Sequence, residues 1–364
     1  MLKPDNQSLS FLDSLYRELL PNFSSSYFNV GCDETWELGQ GWSKPLCEQK
    51  GKVRVYLDFL CGINELVSRH GRKMMFWGDI ILHEPALIKE LPHNLIALNW
   101  GYEADHDFDK ECPLFAASNI AFYVCPGTSS WGSLTGRTGN CLANLANAAE
   151  HGLANKAIGY LNTDWGDRGH HQHLPISYPG ILGGAAYSWC FQSNRHPDIR
   201  AAMNQFIFED DTGNLGKSID ALGKVMDLIP RYTPNCTIFN RLLTWDLQSK
   251  REDMLKDLTV QNLSACIEQF DAIEQDLATA CPRTADGELV KAEIRNNLAM
   301  ARHGVRRGLA VIEGLTDLSQ LRSELQNIIG DFEHLWLNRN RPGGLHESSG
   351  YLRNALETVG GFDK

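Results

Sequence analysis

The sequence lacks several features that would assign a chain to a class at once. No stretch approaches the roughly 18 consecutive apolar residues that a membrane helix needs. Residues 1–11 do not follow a signal-peptide pattern, so we expect no export of the chain as given and no membrane partner. There is also no internal repeat, no low-complexity segment, and no Walker or GxGxxG phosphate-binding pattern.

Positive charge is comparatively scarce. The chain has 34 Lys and Arg residues against 45 Asp and Glu residues, which gives a net charge of −11. A chain of this charge has no general affinity for polyphosphates or anionic membranes, so we expect no nucleic-acid partner. Neutral or cationic ligands are favoured.

Paired cysteines are missing as well. The sequence has no CxxC pair, and its 10 cysteines are scattered at positions 32, 47, 61, 112, 125, 141, 190, 236, 266 and 281. Such a distribution is typical of buried free thiols in a reducing compartment rather than of a disulfide framework or a zinc site. We therefore expect a cytoplasmic location.

The composition is that of an ordinary folded chain. It has 364 residues, of which 43% are hydrophobic and 22% are charged. These values exclude disordered, collagen-like and coiled-coil proteins, and the length suggests one large or two ordinary domains.

The first half alternates short apolar runs with amphipathic stretches. Continuous apolar strands separated by helices indicate a parallel sheet that is covered on both faces. Helices are predicted near 10–20, 53–69 and 141–151. Five strands are predicted near 26–31, 73–77, 95–100, 120–124 and 157–162.

The pattern changes near residue 196, after which strand signals become rare. The sequence predicts helices near 216–229, 250–280, 287–314 and 318–338. We accordingly divide the chain into residues 1–195, which carry the sheet, and residues 196–364, an all-helical C-terminal region.

Polar and aromatic residues follow the predicted strands, where the loops of a parallel sheet converge. Carboxylates can act on glycosidic oxygens and hydroxyls, and flat aromatic rings pack on the C–H face of a sugar, so this pattern favours a sugar site. A strand-end acid can instead simply cap the next helix. The residues concerned are Asp33, Glu34, Trp77, Asp79, Trp100, Tyr102, Trp131, Asp164, Trp165 and Asp167.

The segment Phe28-Asn29-Val30-Gly31-Cys32-Asp33-Glu34 resembles the strand-end Gly-x-Asp-Glu motif of glycoside hydrolase family 20, the β-N-acetylhexosaminidases. Trp77, Trp100 and the Trp165-Gly166-Asp167 segment follow in the order expected for that family, over about residues 8–190. Residues 285–356 look like the helical tail of bacterial members. The resemblance implies the last five βα units of a (β/α)₈ barrel followed by helices.

The resemblance also implies a substrate-assisted retaining mechanism. Glu34 would be the general acid, and Asp33 would hold the 2-acetamido group of the substrate as that group attacks the anomeric carbon. Burial of Glu34 among indoles would raise its pKa. Trp77, Trp100, Trp131 and Trp165 would wall the sugar pocket, with Asp79, Tyr102 and Asp167 as further substrate-binding residues. The expected partner is an amino-sugar glycoside, with no cofactor and no metal.

Two departures from the family pattern leave alternatives open. Where the family has a Tyr-x-Asp pair, this chain has Trp131 and Ser133, and only five of eight barrel strands are visible. The chain could therefore be a non-catalytic sugar-binding protein or an inactive fragment. The open sheet could be completed by a preceding segment of a longer enzyme or by a second copy. Three clustered histidines, at 170, 171 and 173, suggest a metal site, but so short a loop cannot easily bring all three together.

Overall fold

The computed structural model describes residues 1–247, 253 and 255–359. Longer helices span Asn6–Leu19, Lys44–Lys50, Lys52–Arg69, Phe108–Ala117, Thr138–Ala154, Tyr178–Cys190, Asn214–Leu222, Ile238–Thr244, Val260–Thr279, Gly287–Glu313, Ser319–Arg339 and Leu345–Val359. Short helices span Asp79–Leu82 and Ile199–Ala202, and a π-helical turn spans Met203–Phe208. The first compact unit comprises residues 1–101, 105–126 and 147–161, and the second comprises 102–104, 127–146 and 162–364.

The sheet lies entirely in the first unit. Its five strands are β1 (Tyr27–Asn29), β2 (Lys73–Trp77), β3 (Ile96–Trp100), β4 (Ala121–Cys125) and β5 (Gly159–Tyr160). They pair in parallel and in chain order from β1 to β5. The predicted strands are confirmed, and the fold is a partial (β/α)₈ barrel with a helical region after it.

Both faces of this sheet carry packed apolar side chains, in line with the continuous apolar runs of the sequence. Side chains alternate along each strand. On β2, Met74 and Phe76 pack with the helices, whereas Met75 and Trp77 point to the other face. That second face forms a separate small core of Met75, Trp77, Ile96, Leu98, Trp100, Ala121, Tyr123 and Cys125.

Local sequence signals set the ends of the helices in the first unit. Helix Asn6–Leu19 begins four residues before its predicted start, because the side chain of Asp5 accepts a hydrogen bond from Ser8 N and caps it. Helix Lys52–Arg69 follows Gly51, which has φ = 88°, and turns its apolar side toward the sheet. Its bounds agree with the prediction to within one residue.

The second unit has its own core, built around helix Gly287–Glu313. The helices predicted at 287–314 and 318–338 are confirmed. Helix Val260–Thr279 is shorter than predicted because Thr259 and Asn262 form a capping box at its start. Residues 250–252 and 254 of that prediction lie outside the described residues. Helix Leu345–Val359 was not predicted.

Of the described residues, no helix is both long enough and apolar enough to cross a membrane. The boundary between residues 195 and 196 stays a prediction.

Candidate active site

The Asp33-Glu34 pair lies in the loop that follows β1, in the first unit. Both residues are exposed. The backbone of this loop is strained, because Cys32 has φ = 72° and Glu34 has φ = 46°, values that side chains other than glycine seldom adopt. Strained backbone of this kind persists only where surrounding groups hold it, and it is concentrated at functional sites.

Two side chains hold this loop. Tyr56, a buried residue of helix Lys52–Arg69, donates its hydroxyl to the carbonyl oxygen of Cys32 at 3.0 Å. The carboxylate of Asp79 accepts the backbone N–H of Glu34 at 3.0 Å. The loop that carries the two acids is therefore fixed from a helix and from the end of β2.

Asp79 also contacts an aromatic residue from the next strand. Its second carboxylate oxygen accepts the indole N–H of Trp100 at 3.3 Å. Burial raises the pKa of Asp79, an effect that the bonds from Glu34 and Trp100 oppose and the nearby Asp33 carboxylate reinforces. The structure thus brings Glu34, Asp79 and Trp100 together, and we call these three residues with Asp33 the acidic cluster.

Trp77, at the end of β2, is only 8% exposed and belongs to the small core on the inner face of the sheet. Its position at a strand end agrees with the prediction, whereas most of its surface packs against protein. Glu34, by contrast, is more exposed than predicted. Its side chain is exposed, so the predicted burial among indoles is not found in this chain.

Three of the predicted aromatic residues contact one another in the second unit. The indole N–H of Trp165 donates to the hydroxyl of Tyr102 at 3.0 Å. The ring of Tyr102 packs edge-on against Trp131, with 5.0 Å between ring centroids. Trp131 is 1% exposed, and its indole N–H has no hydrogen-bond partner among the described residues. Trp165 is 37% exposed and is therefore the most accessible member of this group.

The residue before Trp165 organises the neighbouring loops. The carboxylate of Asp164 accepts hydrogen bonds from Thr128 at 2.6 Å, Ser130 at 2.7 Å and Ser177 at 2.9 Å. Three hydroxyl donors on one carboxylate join the segment after β4 to the segment after β5. This joining fixes the main chain from which Trp165 projects.

Asp167 is exposed and opens a short turn of unusual backbone. Arg168 and His170 have φ values of 55° and 52°, and Gly169 between them has φ = 102°. These three successive residues with positive φ set the direction in which the chain continues to His171 and His173. The predicted role of Asp167 in binding a sugar hydroxyl stays a prediction.

Two of the histidines serve packing. His171 donates from Nε2 to the carbonyl oxygen of Ser348 at 3.0 Å, and His173 donates to the side-chain oxygen of Asn296 at 3.0 Å. Burial lowers the pKa of each to about 4. Within the described ranges, no group of three or more His, Cys, Asp or Glu side chains has the arrangement of a metal site.

Some residues that hold these segments in place carry no recognisable signal in the sequence. Tyr56 gave no signal, because one tyrosine on the apolar side of a helix resembles an ordinary core residue. Glu103, also missed, forms a two-pronged ion pair with Arg137 and accepts the backbone N–H of Asn235 at 2.8 Å. Asp164 stood out only as a strand-end acid. Whether the residues of the two units share one surface stays a prediction.

Similarity to known proteins assigns the chain to a family. No curated protein matches the chain. Among solved structures, the X-ray structure of a chitobiase from Flavobacterium johnsoniae aligns with 12% identity and a TM-score of 0.35, over 89% of this chain and 56% of that one. The chain thus spans about half the length of that structure. Residues 1–193 match the family described as glycosyl hydrolase family 20, catalytic domain, which is more than half of the chain. The chain therefore belongs to glycoside hydrolase family 20.

Proposed function

We propose that this chain hydrolyses terminal N-acetylhexosamine residues of amino-sugar glycosides by a substrate-assisted retaining mechanism. Membership of the glycosidase family supports the reaction class. The observation that carries the proposal is the Asp33-Glu34 pair, exposed on a strained loop that Tyr56 and Asp79 hold in place. Two adjacent carboxylates with a fixed main chain suit a division of labour in which one acid transfers a proton and the other holds the reacting acetamido group.

In this mechanism Glu34 protonates the glycosidic oxygen as the bond to the leaving group breaks. The acetamido oxygen of the substrate attacks the anomeric carbon and forms an oxazolinium, so no protein nucleophile is required. Asp33 accepts the acetamido N–H and stabilises the positive charge that develops on that group. Water then opens the oxazolinium, and Glu34 takes a proton from this water as a general base.

The proposed contacts with the sugar differ in how much surface each residue offers. Trp100 and Trp165 are partly exposed, which suits rings that stack on a pyranose. Trp77 and Trp131 are buried, so we propose that they support the walls and offer only a ring edge or an N–H group. Tyr102 orients Trp165, and Asp167 binds a sugar hydroxyl.

A second candidate function is sugar binding without hydrolysis. Ser133 takes the place of the family's aspartate, and its hydroxyl accepts the backbone N–H of Gly136 at 2.8 Å and donates to the carbonyl oxygen of Ser130. Ser133 is buried, and its hydroxyl is occupied by its own loop. A site with altered contacts at this position can retain affinity for a sugar and lose turnover.

The catalytic form also needs a complete barrel. The described sheet has five strands with β1 and β5 at its edges, whereas a (β/α)₈ barrel has eight. We propose that three further βα units, from another segment of polypeptide, pair between those edges. A second copy of this chain would bring five strands instead of three.

We also propose a cytoplasmic location for the chain and a domain boundary between residues 195 and 196.

Hydrolysis and binding are separated by one assay. The chain, alone and as a complete barrel, is given the p-nitrophenyl β-glycosides of N-acetylglucosamine and of glucose, and binding of N-acetylglucosamine is measured by calorimetry. Release of p-nitrophenol from the N-acetylglucosaminide, without release from the glucoside, supports the proposal. Binding without release favours the second candidate. Equal cleavage of both substrates excludes the acetamido-assisted mechanism.

A further inference from the structure

Asp79 connects two strand-end segments that are far apart in sequence. One carboxylate oxygen accepts the backbone N–H of Glu34, and the other accepts the indole N–H of Trp100. The two donors come from the loop after β1 and from the last residue of β3. A single half-buried carboxylate thus fixes the main chain of one residue and the ring of another.

The main chain at Glu34 needs such support. Backbone in the left-handed region is unfavourable for residues other than glycine, and it relaxes unless its surroundings oppose that. Cys32 and Glu34 both have this conformation. Tyr56 holds the first of them through the Cys32 carbonyl oxygen, and Asp79 holds the second through the Glu34 N–H.

We propose that Asp79 is a positioning residue, which orients the Glu34 side chain through its backbone and fixes the indole plane of Trp100, and that Tyr56 assists by holding Cys32. The catalytic consequence rests on the proposed function, in which Glu34 delivers a proton to the substrate. This assignment is an alternative to the predicted direct contact of Asp79 with a sugar hydroxyl, since each of its carboxylate oxygens accepts a hydrogen bond from a protein donor.

The charge of Asp79 matters for this role. An ionised carboxylate accepts both hydrogen bonds strongly, whereas the protonated acid has one oxygen converted to a donor. The titratable groups that face Asp79 are Asp33, Cys32 and Tyr56, with the Glu34 side chain on the same loop. Burial and the Asp33 charge raise the pKa of Asp79 above that of an ordinary aspartate.

The contacts can be tested without any enzymatic activity. In a ¹⁵N-labelled sample of the whole chain, the Glu34 amide and the Trp100 indole resonances are followed from pH 3.5 to pH 8. We expect both to shift with one common midpoint, which belongs to Asp79 and lies above that of an ordinary aspartate. Asp79→Asn should remove this shared transition, whereas Asp109→Asn, a change at an exposed helix residue, should leave it in place.

Two results would overturn the assignment. One is a pair of unrelated midpoints for the two resonances in the wild-type chain, a measurement that needs no variant to fold. The other is an unchanged Glu34 amide in a folded Asp79→Asn chain.

The catalytic consequence is tested in the active form of the enzyme. Asp79→Asn should lower kcat by about 10- to 100-fold and change KM less than threefold, because misplacement of a reacting group costs turnover more than affinity. Tyr56→Phe should also lower kcat, by a smaller factor than Asp79→Asn does. A loss confined to KM would mean that Asp79 binds the sugar directly. If the wild-type enzyme hydrolyses no glycoside, the proposed function fails, while the resonance titration still decides the positioning role.

Discussion

The indole N–H of Trp165 donates to the hydroxyl of Tyr102 at 3.0 Å, which joins the segment after β5 to the segment after β3. Because Trp165 is partly exposed, this hydrogen bond sets which part of the indole is turned to solvent. Tyr102 in turn packs against the buried ring of Trp131. The buried Trp131 therefore positions Tyr102, and Tyr102 orients the exposed Trp165.

Tyr102→Phe is expected to weaken sugar binding more than stability. The change removes the acceptor for Trp165, whose N–H can still bond to water, so the free energy of unfolding should fall by only about 1 kcal/mol or less. The affinity for N-acetylglucosamine should fall about threefold to tenfold, because the indole loses a hydrogen bond that restricts its orientation. Calorimetric titration measures the affinity, with Tyr27→Phe on β1 as the matched control. An unchanged affinity in Tyr102→Phe would remove Trp165 from the proposed binding surface.

Glu34→Gln and Asp33→Asn should separate the two roles of the acidic pair. Glu34→Gln should lower turnover of substrates with poor leaving groups by about 10²–10⁴ and spare substrates whose leaving group needs no proton. Asp33→Asn should impair both kinds, since the charge that Asp33 stabilises develops with either leaving group. The measurement is kcat/KM for a series of aryl 2-acetamido glycosides with the complete barrel.

The exposed residue Glu48 provides the control for that series, because Glu48→Gln changes the same charge away from the acidic cluster. A thiazoline analogue of the oxazolinium should inhibit strongly, since it resembles an intermediate of the acetamido-assisted route. If Glu34→Gln affects good and poor leaving groups equally, Glu34 is not the general acid.

His171 and His173 should make the stability of the second unit depend on pH. Burial lowers the pKa of both from 6.5 to about 4, so the unfolded chain binds more protons than the folded one between these values. Stability is therefore complete above about pH 6.5 and declines as the pH falls toward 4, by about 2 kcal/mol per histidine at pH 5. Urea unfolding at pH 5 and pH 7 measures the difference.

The double variant His171→Gln/His173→Gln should lose most of this pH dependence, whatever its stability at pH 7. The exposed His196, changed to Gln, should retain it. A double variant with the same loss between pH 7 and pH 5 as the wild type would show that other groups carry the acid sensitivity.

Arg339 is expected to stabilise the helical region by neutralising a buried acid. Its guanidinium contacts both carboxylate oxygens of Glu293, at 2.6 and 2.9 Å, and Asp286 at 3.0 Å. The side chain of Glu293 is only 2% exposed, so Arg339→Met leaves a buried charge without its main partner. We expect a loss of about 3 kcal/mol in the free energy of unfolding.

A double-mutant cycle checks this loss. Arg339→Met combined with Glu293→Met should destabilise by less than the sum of the two single changes, because the second change removes the unpaired charge. Arg353→Met, which breaks an exposed pair with Glu333, should cost about 1 kcal/mol or less. Equal losses for Arg339→Met and Arg353→Met would contradict the argument.

The order and direction of the five strands could be predicted because they depend on local pattern. Apolar runs separated by helical stretches indicate a parallel sheet wherever they occur, and the five predicted runs all became strands. The bounds of β5 were less well predicted. Its regular pairing is confined to Gly159 and Tyr160, although the N–H groups of Ile158 and Leu161 still bond to β4.

The amino-acid sequence by itself determined the family, the parallel strands and the placement of Asp33 and Glu34 at a strand end. Each of these follows from residues that are neighbours in the chain. Only the tertiary structure decided the burial of Trp131, the packing role of His171, and the contacts of Tyr56 and Asp79 with the loop after β1. Those properties depend on contacts between residues far apart in sequence, such as Glu34 and Asp79, 45 positions apart, and no local pattern encodes such contacts.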